Sequence, residues 1–153
     1  MLIRPRPRKN CSAFTLIELL LVTLIITVFL LAALPLYRQQ LLGAHRQLAK
    51  LELLSASARQ QQYFAERTYY ASSLTELGYA GSPYAIDGTG EQVTPGSDQG
   101  IYLIELEASD PGGGYTLHAR PYGLQARDRT CGTLSVTDRG ERLVTGRDAG
   151  KCW

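Results

Sequence analysis

From Phe14 to Leu34 the chain runs for 21 residues with a single charged side chain, Glu18. As an α-helix that run is about 31 Å long at 1.5 Å per residue, which matches a hydrocarbon core of about 30 Å. A secretory signal peptide has a shorter apolar core closed by a small-x-small cleavage site. This run is longer, and no such site ends it. Cys11 precedes the run, so a lipoprotein arrangement fails as well. Residues 1–13 carry Arg4, Arg6, Arg8 and Lys9 and no acid, a charge of +4; the other residues carry 12 bases against 14 acids, or −2. A basic segment ahead of an apolar span stays in the cytoplasm and sends the carboxyl-terminal bulk to the other side. That balance excludes a nucleic-acid binder by bulk charge. A composition of 44% hydrophobic and 20% charged residues excludes wholesale disorder.

Glu18 does not fit a passive anchor. A carboxylate inside an apolar helix costs about 2.5–3.5 kcal/mol on insertion scales. If the leader is cut before Phe14, a new α-amino group lies four residues, or one helical turn, from Glu18. The ammonium of a neighbouring copy could then pair with that carboxylate in an apolar assembly.

The segment Ala13-Phe14-Thr15-Leu16-Ile17-Glu18-Leu19-Leu20 resembles the class III signal of type IV prepilins and type II secretion pseudopilins. The resemblance implies removal of residues 1–13 by prepilin peptidase, with cleavage between Ala13 and Phe14 and N-methylation of Phe14. It also implies assembly roles for Glu18 and Pro35, which stand at the family spacing. One departure is Ala13, where the family has Gly; Ala is the next smallest residue. The implied organisation is a leader over 1–13, a transmembrane and assembly helix over 14–38, and a periplasmic, later extracellular, globular domain over 39–153.

Helical periodicity continues past the membrane run. Leu34, Leu41, Leu48 and Ser55 are spaced by seven, and Tyr37, Ala44, Leu51, Ala58 and Ala65 form an accompanying row. This mainly apolar stripe is expected to pack on a small sheet, with the helix reaching about Arg67. Pro35 should bend or loosen it. Residues 68–98 read as an irregular connection with turn signals at Gly78, Gly81, Ser82-Pro83, Asp87-Gly88, Gly90 and Pro95-Gly96. Strands are expected over 101–108, 115–120, 131–137 and 141–145, joined by hairpin-length connections. The fold class is α+β, a long helix on an antiparallel sheet, which is the type IV pilin fold.

Cys131 and Cys152 lie on the oxidising side of the membrane. A bridge between them would contribute about 3 kcal/mol by chain entropy, and Cys11 leaves with the leader. The tail around Asp128 to Thr137, with Cys152-Trp153, is similar to PilE-type minor pilins. So is Gln60 to Tyr70.

His45 and His118 read as structural residues, and Asp87, Glu91 and Asp98 as solvated loop acids. No phosphate loop, nucleophile elbow or metal motif is present, so neither an enzyme nor a cofactor is implied. The resemblance implies a minor pilin of a Gram-negative type IV pilus. Its partners would be the peptidase, the major pilin and other minor pilins, the inner-membrane assembly platform, and lipid before assembly. The alternatives are a major pilin, a DNA-uptake receptor pilin and a secretion pseudopilin, the last disfavoured by the carboxyl-terminal cysteines. Residues 66–117 carry one base against eight acids, or −7, while residues 118–153 carry seven bases against four acids, or +3. Arg120, Arg127, Arg129, Arg139 and Arg142 could therefore form a basic patch. The preferred occupant is the acidic segment of the next subunit, with nucleic acid the partner only in the receptor reading.

Overall fold

The computed structural model describes residues 15–109 and 113–153. One helix, α1 (Leu16–Arg67), precedes six strands. These are β1 (Tyr84–Asp87), β2 (Gln92–Val93), β3 (Gly100–Ala108), β4 (Tyr115–Pro121), β5 (Leu134–Thr137) and β6 (Arg142–Val144). The strands form one sheet in the order β2-β1-β3-β4-β5-β6, and every neighbouring pair is antiparallel. The chain divides into two compact units, one ending at Gln39 and the other Gln40–Trp153.

In the first unit every described residue is exposed, and the helix is long and apolar enough to cross a membrane. Thr23 and Thr27 donate their hydroxyls to the Leu20 and Thr23 carbonyls, at 2.9 and 2.7 Å. Both polar groups are thereby satisfied within the helix, as an apolar medium demands. The helix is unbroken through Pro35, so the proline does not end the helical state.

In the second unit α1 packs on the sheet through a face the sequence hid. Ala49, Leu53, Ala56 and Gln60 are fully buried, whereas Ala44, Leu51, Ser55, Ala58 and Ala65 are exposed. Of the apolar rows expected to meet the sheet, Leu48 packs against the core, and these other members point away from it. The packing face contains Arg46 and Gln60, polar residues outside those apolar rows. Both are held by partners. The Gln60 amide donates to the Ala71 carbonyl at 3.0 Å and accepts from the Ala71 N–H at 2.9 Å, closing the turn after the helix. Against this face the sheet sets Tyr102 and Ile104 of β3, Tyr115, Leu117 and Ala119 of β4, and Leu134 and Val136 of β5, all buried.

The connection is not irregular throughout. It holds a 3-10 turn over Leu74–Leu77 and the β1–β2 hairpin. Asp87 builds that hairpin's turn: its carboxylate accepts from the Thr89 N–H and hydroxyl and from the Glu91 N–H, at 2.8, 2.7 and 3.0 Å. A residue that reads as a solvated acid is therefore a turn organiser. Aromatic side chains tie this region to the helix, with Phe64 stacked on Tyr70 and Tyr63 edge-on to Tyr69.

Candidate nucleic-acid interface

The basic residues of the carboxyl-terminal third fall at three places. Arg120 follows Ala119, which is buried against the helix, so it stands on the outer face of β4. There it pairs with Glu105 of β3 at 3.0 Å. Arg127 and Arg129 flank the end of a 3-10 turn over Gly123–Arg127, and Arg139 lies in the β5–β6 turn; all three are exposed. Arg142 opposes Val136 in the β5–β6 register. It therefore shares the helix-facing side, opposite to Arg120. The five arginines do not form one patch. Among the described residues, Arg127, Arg129, Arg139 and Arg147 make no ion pair.

A buried polar network fixes the loop that carries Arg127 and Arg129. Asp128 accepts from Arg46 Nη2 at 2.7 Å and from Nε, and its Oδ1 accepts from the Thr130 and Cys131 N–H groups at 3.2 and 3.4 Å. Burial pushes the Asp128 carboxyl up, but the hydrogen bonds and charge of Arg46, with those backbone donors, hold it below the usual range. The same hydrogen bond raises Arg46. Gln125, also buried, donates to the Tyr102 hydroxyl at 3.1 Å and the Leu42 carbonyl at 3.2 Å. It meets His45 Nδ1 at 3.0 Å, which gives that histidine a structural role. His118 likewise meets Ser135 at 2.8 Å.

Sequence reasoning left one cation, Lys50, out of the basic patch. Lys50 lies one turn beyond Arg46 on α1. Burial lowers its pKa, and the charges of Arg46 and Arg142 lower it further. The Arg142 guanidinium lies 5.5 Å from the centre of the Trp153 ring, and the Trp153 indole N–H donates to the Leu143 carbonyl at 3.2 Å. The Cys131–Cys152 disulfide, with a Cα–Cα distance of 5.5 Å, anchors the segment that ends in Trp153. Gly146 permits the close approach this requires: a Cβ there would lie 2.2 Å from the Thr130 carbonyl oxygen.

The other site residues are quickly placed. Ala13 and Phe14 lie outside the described residues. Glu18 is exposed in the first turn of α1, where its N–H donates to the Thr15 hydroxyl at 3.3 Å, and Pro35 is exposed inside the helix. Among the described residues, no group of three or more His, Cys, Asp or Glu side chains could hold a metal ion.

Residues 35–135 match the family described as "Type IV minor pilin ComP, DNA uptake sequence receptor", and residues 8–34 match "Prokaryotic N-terminal methylation motif". A solved structure, "High-Resolution Structure of a Type IV Pilin from Shewanella oneidensis", is 21% identical, with 71% of this chain and 93% of that chain covered and a TM-score of 0.46. A comparison with curated proteins gave no match. A long amino-terminal helix on one antiparallel sheet, behind an N-terminal methylation motif, defines a type IV pilin. Within that class the chain belongs to the family of ComP-type minor pilins. Such a chain is a structural pilus subunit and not an enzyme. The sequence ranked DNA below subunit assembly as the use of the basic segment; the family description favours the receptor class.

Proposed function

We propose that this chain is a minor pilin that serves as a DNA receptor on a type IV pilus. The observation that carries the reading is the family match over residues 35–135, whose description names a DNA uptake sequence receptor. The charge pattern supports it. Arg127, Arg129, Arg139 and Arg147 are exposed and have no ion-pair partner among the described residues, so each is free to displace a counterion from a phosphate. The PilE-type likeness of the tail is the weaker subgroup reading, since it names no partner for these side chains.

Before assembly the protein would sit in the inner membrane through its apolar helix, with the remainder in the periplasm. Prepilin peptidase would cut between Ala13 and Phe14 and methylate Phe14. The assembly platform would then insert the mature chain among major and minor pilins, with Glu18 paired to a neighbouring Phe14 amine.

Full-length protein in non-ionic detergent, titrated with fluorescent duplex DNA at several salt concentrations, tests the receptor reading. Binding should weaken steeply with salt. Replacing Arg127, Arg129, Arg139 and Arg147 with Gln should lower the salt slope by up to about 4, near one per lost phosphate contact. A deletion strain should keep its pili and lose DNA capture. Lost piliation together with an absence of DNA binding at about 50 mM salt would overturn the proposal in favour of an assembly subunit.

A further inference from the structure

Strand β3 outruns its partner on one side. On the β4 side it is paired from Tyr102 to Ala108, whereas on the β1 side the register ends at Ile104, opposite Tyr84. Ser82, which would oppose Leu106 if β1 ran on, instead accepts from the Leu74 N–H at 3.1 Å. The two ends of the β3–β4 ladder fix where the backbone groups point. The Ile101 carbonyl accepts from the Tyr122 N–H at 3.0 Å, and the Ser109 N–H donates to the Gly114 carbonyl at 2.9 Å. Odd-numbered residues of β3 therefore turn their N–H and C=O groups to β4. Leu106 and Ala108 turn theirs to the side that β1 has left, where no backbone group among the described residues pairs with them. The side chains sort by face. Leu106 packs against the core, as Ile104 does, while Glu105 and Glu107 stand on the outer face with His118 and Arg120 of β4. There Glu105 pairs with Arg120 at 3.0 Å, and Glu107, 80% exposed, meets His118 Nε2 at 3.2 Å. These four side chains line a groove of about 480 Å³ that reaches Ser82 and Pro83 at the bare edge.

We infer that the bare edge of β3 over 105–108 takes an extended, basic segment of a different protein as an added strand. The backbone groups of Leu106 and Ala108 would bond that strand. Its alternate side chains would fall beside Glu105 and Glu107 on the outer face and beside Leu106 on the inner one. Charge selects the occupant. A second copy laid antiparallel on this edge about Leu106 would set Glu105 opposite Glu107, and like charges directly opposite are destabilising. An acidic strand is refused in the same way. Charged residues on a sheet edge ordinarily guard it against pairing. Here both carry one sign, so the guard against self-pairing is also complementary to Lys or Arg at alternate positions. The site is independent of the receptor reading and uses none of the arginines on which that reading rests.

The test uses the full chain in non-ionic detergent, with a fluorescent heptapeptide of alternating Lys and Val as the probe. Fluorescence anisotropy should report binding of this peptide and not of its counterpart with Glu in place of Lys. Binding should slow amide exchange at Leu106 and Ala108 and leave Glu105 and Glu107, already bonded to β4, as they were. Methylating the peptide's backbone nitrogens should abolish binding with its charge unchanged. Glu107→Lys should weaken the basic peptide about 2- to 30-fold, through the loss of one attractive cross-strand pair and the gain of a repulsive one. Ala108→Pro removes an edge N–H without touching the β3–β4 ladder and should weaken binding as well; if that variant fails to fold, the exchange pattern and Glu107→Lys decide alone. Failure of the basic peptide to bind, equal binding of basic and acidic peptides, or binding without protection of Leu106 and Ala108 would overturn the inference. Protection of these two amides that grows with protein concentration in the absence of peptide would mean that a second copy takes the edge, and the inference fails.

Discussion

Asp128→Asn is the substitution with the most to reveal about the domain. The Asp128 side chain is 1% exposed and that of Arg46 18%. Asparagine keeps the shape and one acceptor oxygen, so the Thr130 and Cys131 N–H groups can stay bonded. Its amide nitrogen, however, must then point donors at the Arg46 guanidinium. What remains is a half-buried cation beside Lys50, without its counter-charge. Breaking a buried pair from one side costs about 3–5 kcal/mol. For a domain of this size each kcal/mol is about 3–4 °C in Tm, so the variant should melt about 9–20 °C lower. Thermal unfolding of the detergent-solubilised chain, followed by the near-ultraviolet signal of its buried tyrosines, reads this directly. Adding Arg46→Met removes the orphaned cation and should recover part of the loss, which makes the two substitutions non-additive. A loss below about 1 kcal/mol, the worth of a surface pair, would refute the claim that this pair fastens the loop. The pH dependence has a fixed sign. The folded-state pKa of Asp128 lies below its unfolded value. Its stabilisation is therefore complete above the unfolded pKa, near 4, and is lost as pH falls through the folded value. Asp128→Asn should flatten the acid limb of the stability profile.

The other predictions are simpler. Cys131→Ser should cost about 2–5 kcal/mol and expose Cys152 to thiol labels, seen by mass shift in protein expressed in an oxidising compartment. Gln60→Leu orphans both backbone groups of Ala71 at about 1–3 kcal/mol each, and hydrogen exchange at Ala71 should accelerate before the sheet is affected. Intact-mass analysis of the mature protein should give residues 14–153 plus one methyl group; retention of Cys11 would refute the cleavage site. Glu18→Ala should leave the processed protein abundant in the inner membrane and scarce in sheared pili, and equal surface levels of mutant and wild type would defeat the pairing argument.

The sheet was largely legible because its strands alternate. Tyr115, Leu117 and Ala119 turn inward between Thr116, His118 and Arg120, a period-two signal that survives without neighbours. β1 was missed because Tyr84–Asp87 is only four residues long and ends on the Asp87-Gly88 turn. The packing face of α1 was misread for a different reason. Periodicity ranks residues by their own polarity, and Arg46 is half-buried and Gln60 buried only because Asp128, 82 residues on, and Ala71, 11 residues on, complete them. Polar burial of that kind is a property of pairs, and a single sequence shows one member at a time.

The two faces of α1 in the second unit therefore have opposite logic. The inner face is keyed. Arg46 addresses the loop at Asp128, Glu52 accepts from the Tyr84 hydroxyl, Arg59 donates to the Leu77 carbonyl at 2.9 Å, and Gln60 closes on Ala71. Between these keys Ala49 and Ala56 are small enough to let the sheet lie close. Each key binds a different non-helical segment, so together they set which part of the chain meets which turn of the helix. Apolar contact alone would not specify this. The outer face carries Ala44, Leu51, Leu54 and Ala58, all exposed, and none of them has a polar group to satisfy. A monomer gains nothing from that apolar row, whereas a subunit of a helical fibre can bury it against its neighbours. The apolar periodicity of the sequence thus falls largely on an exposed face of the domain, and the polar interruptions describe the protein's own interior.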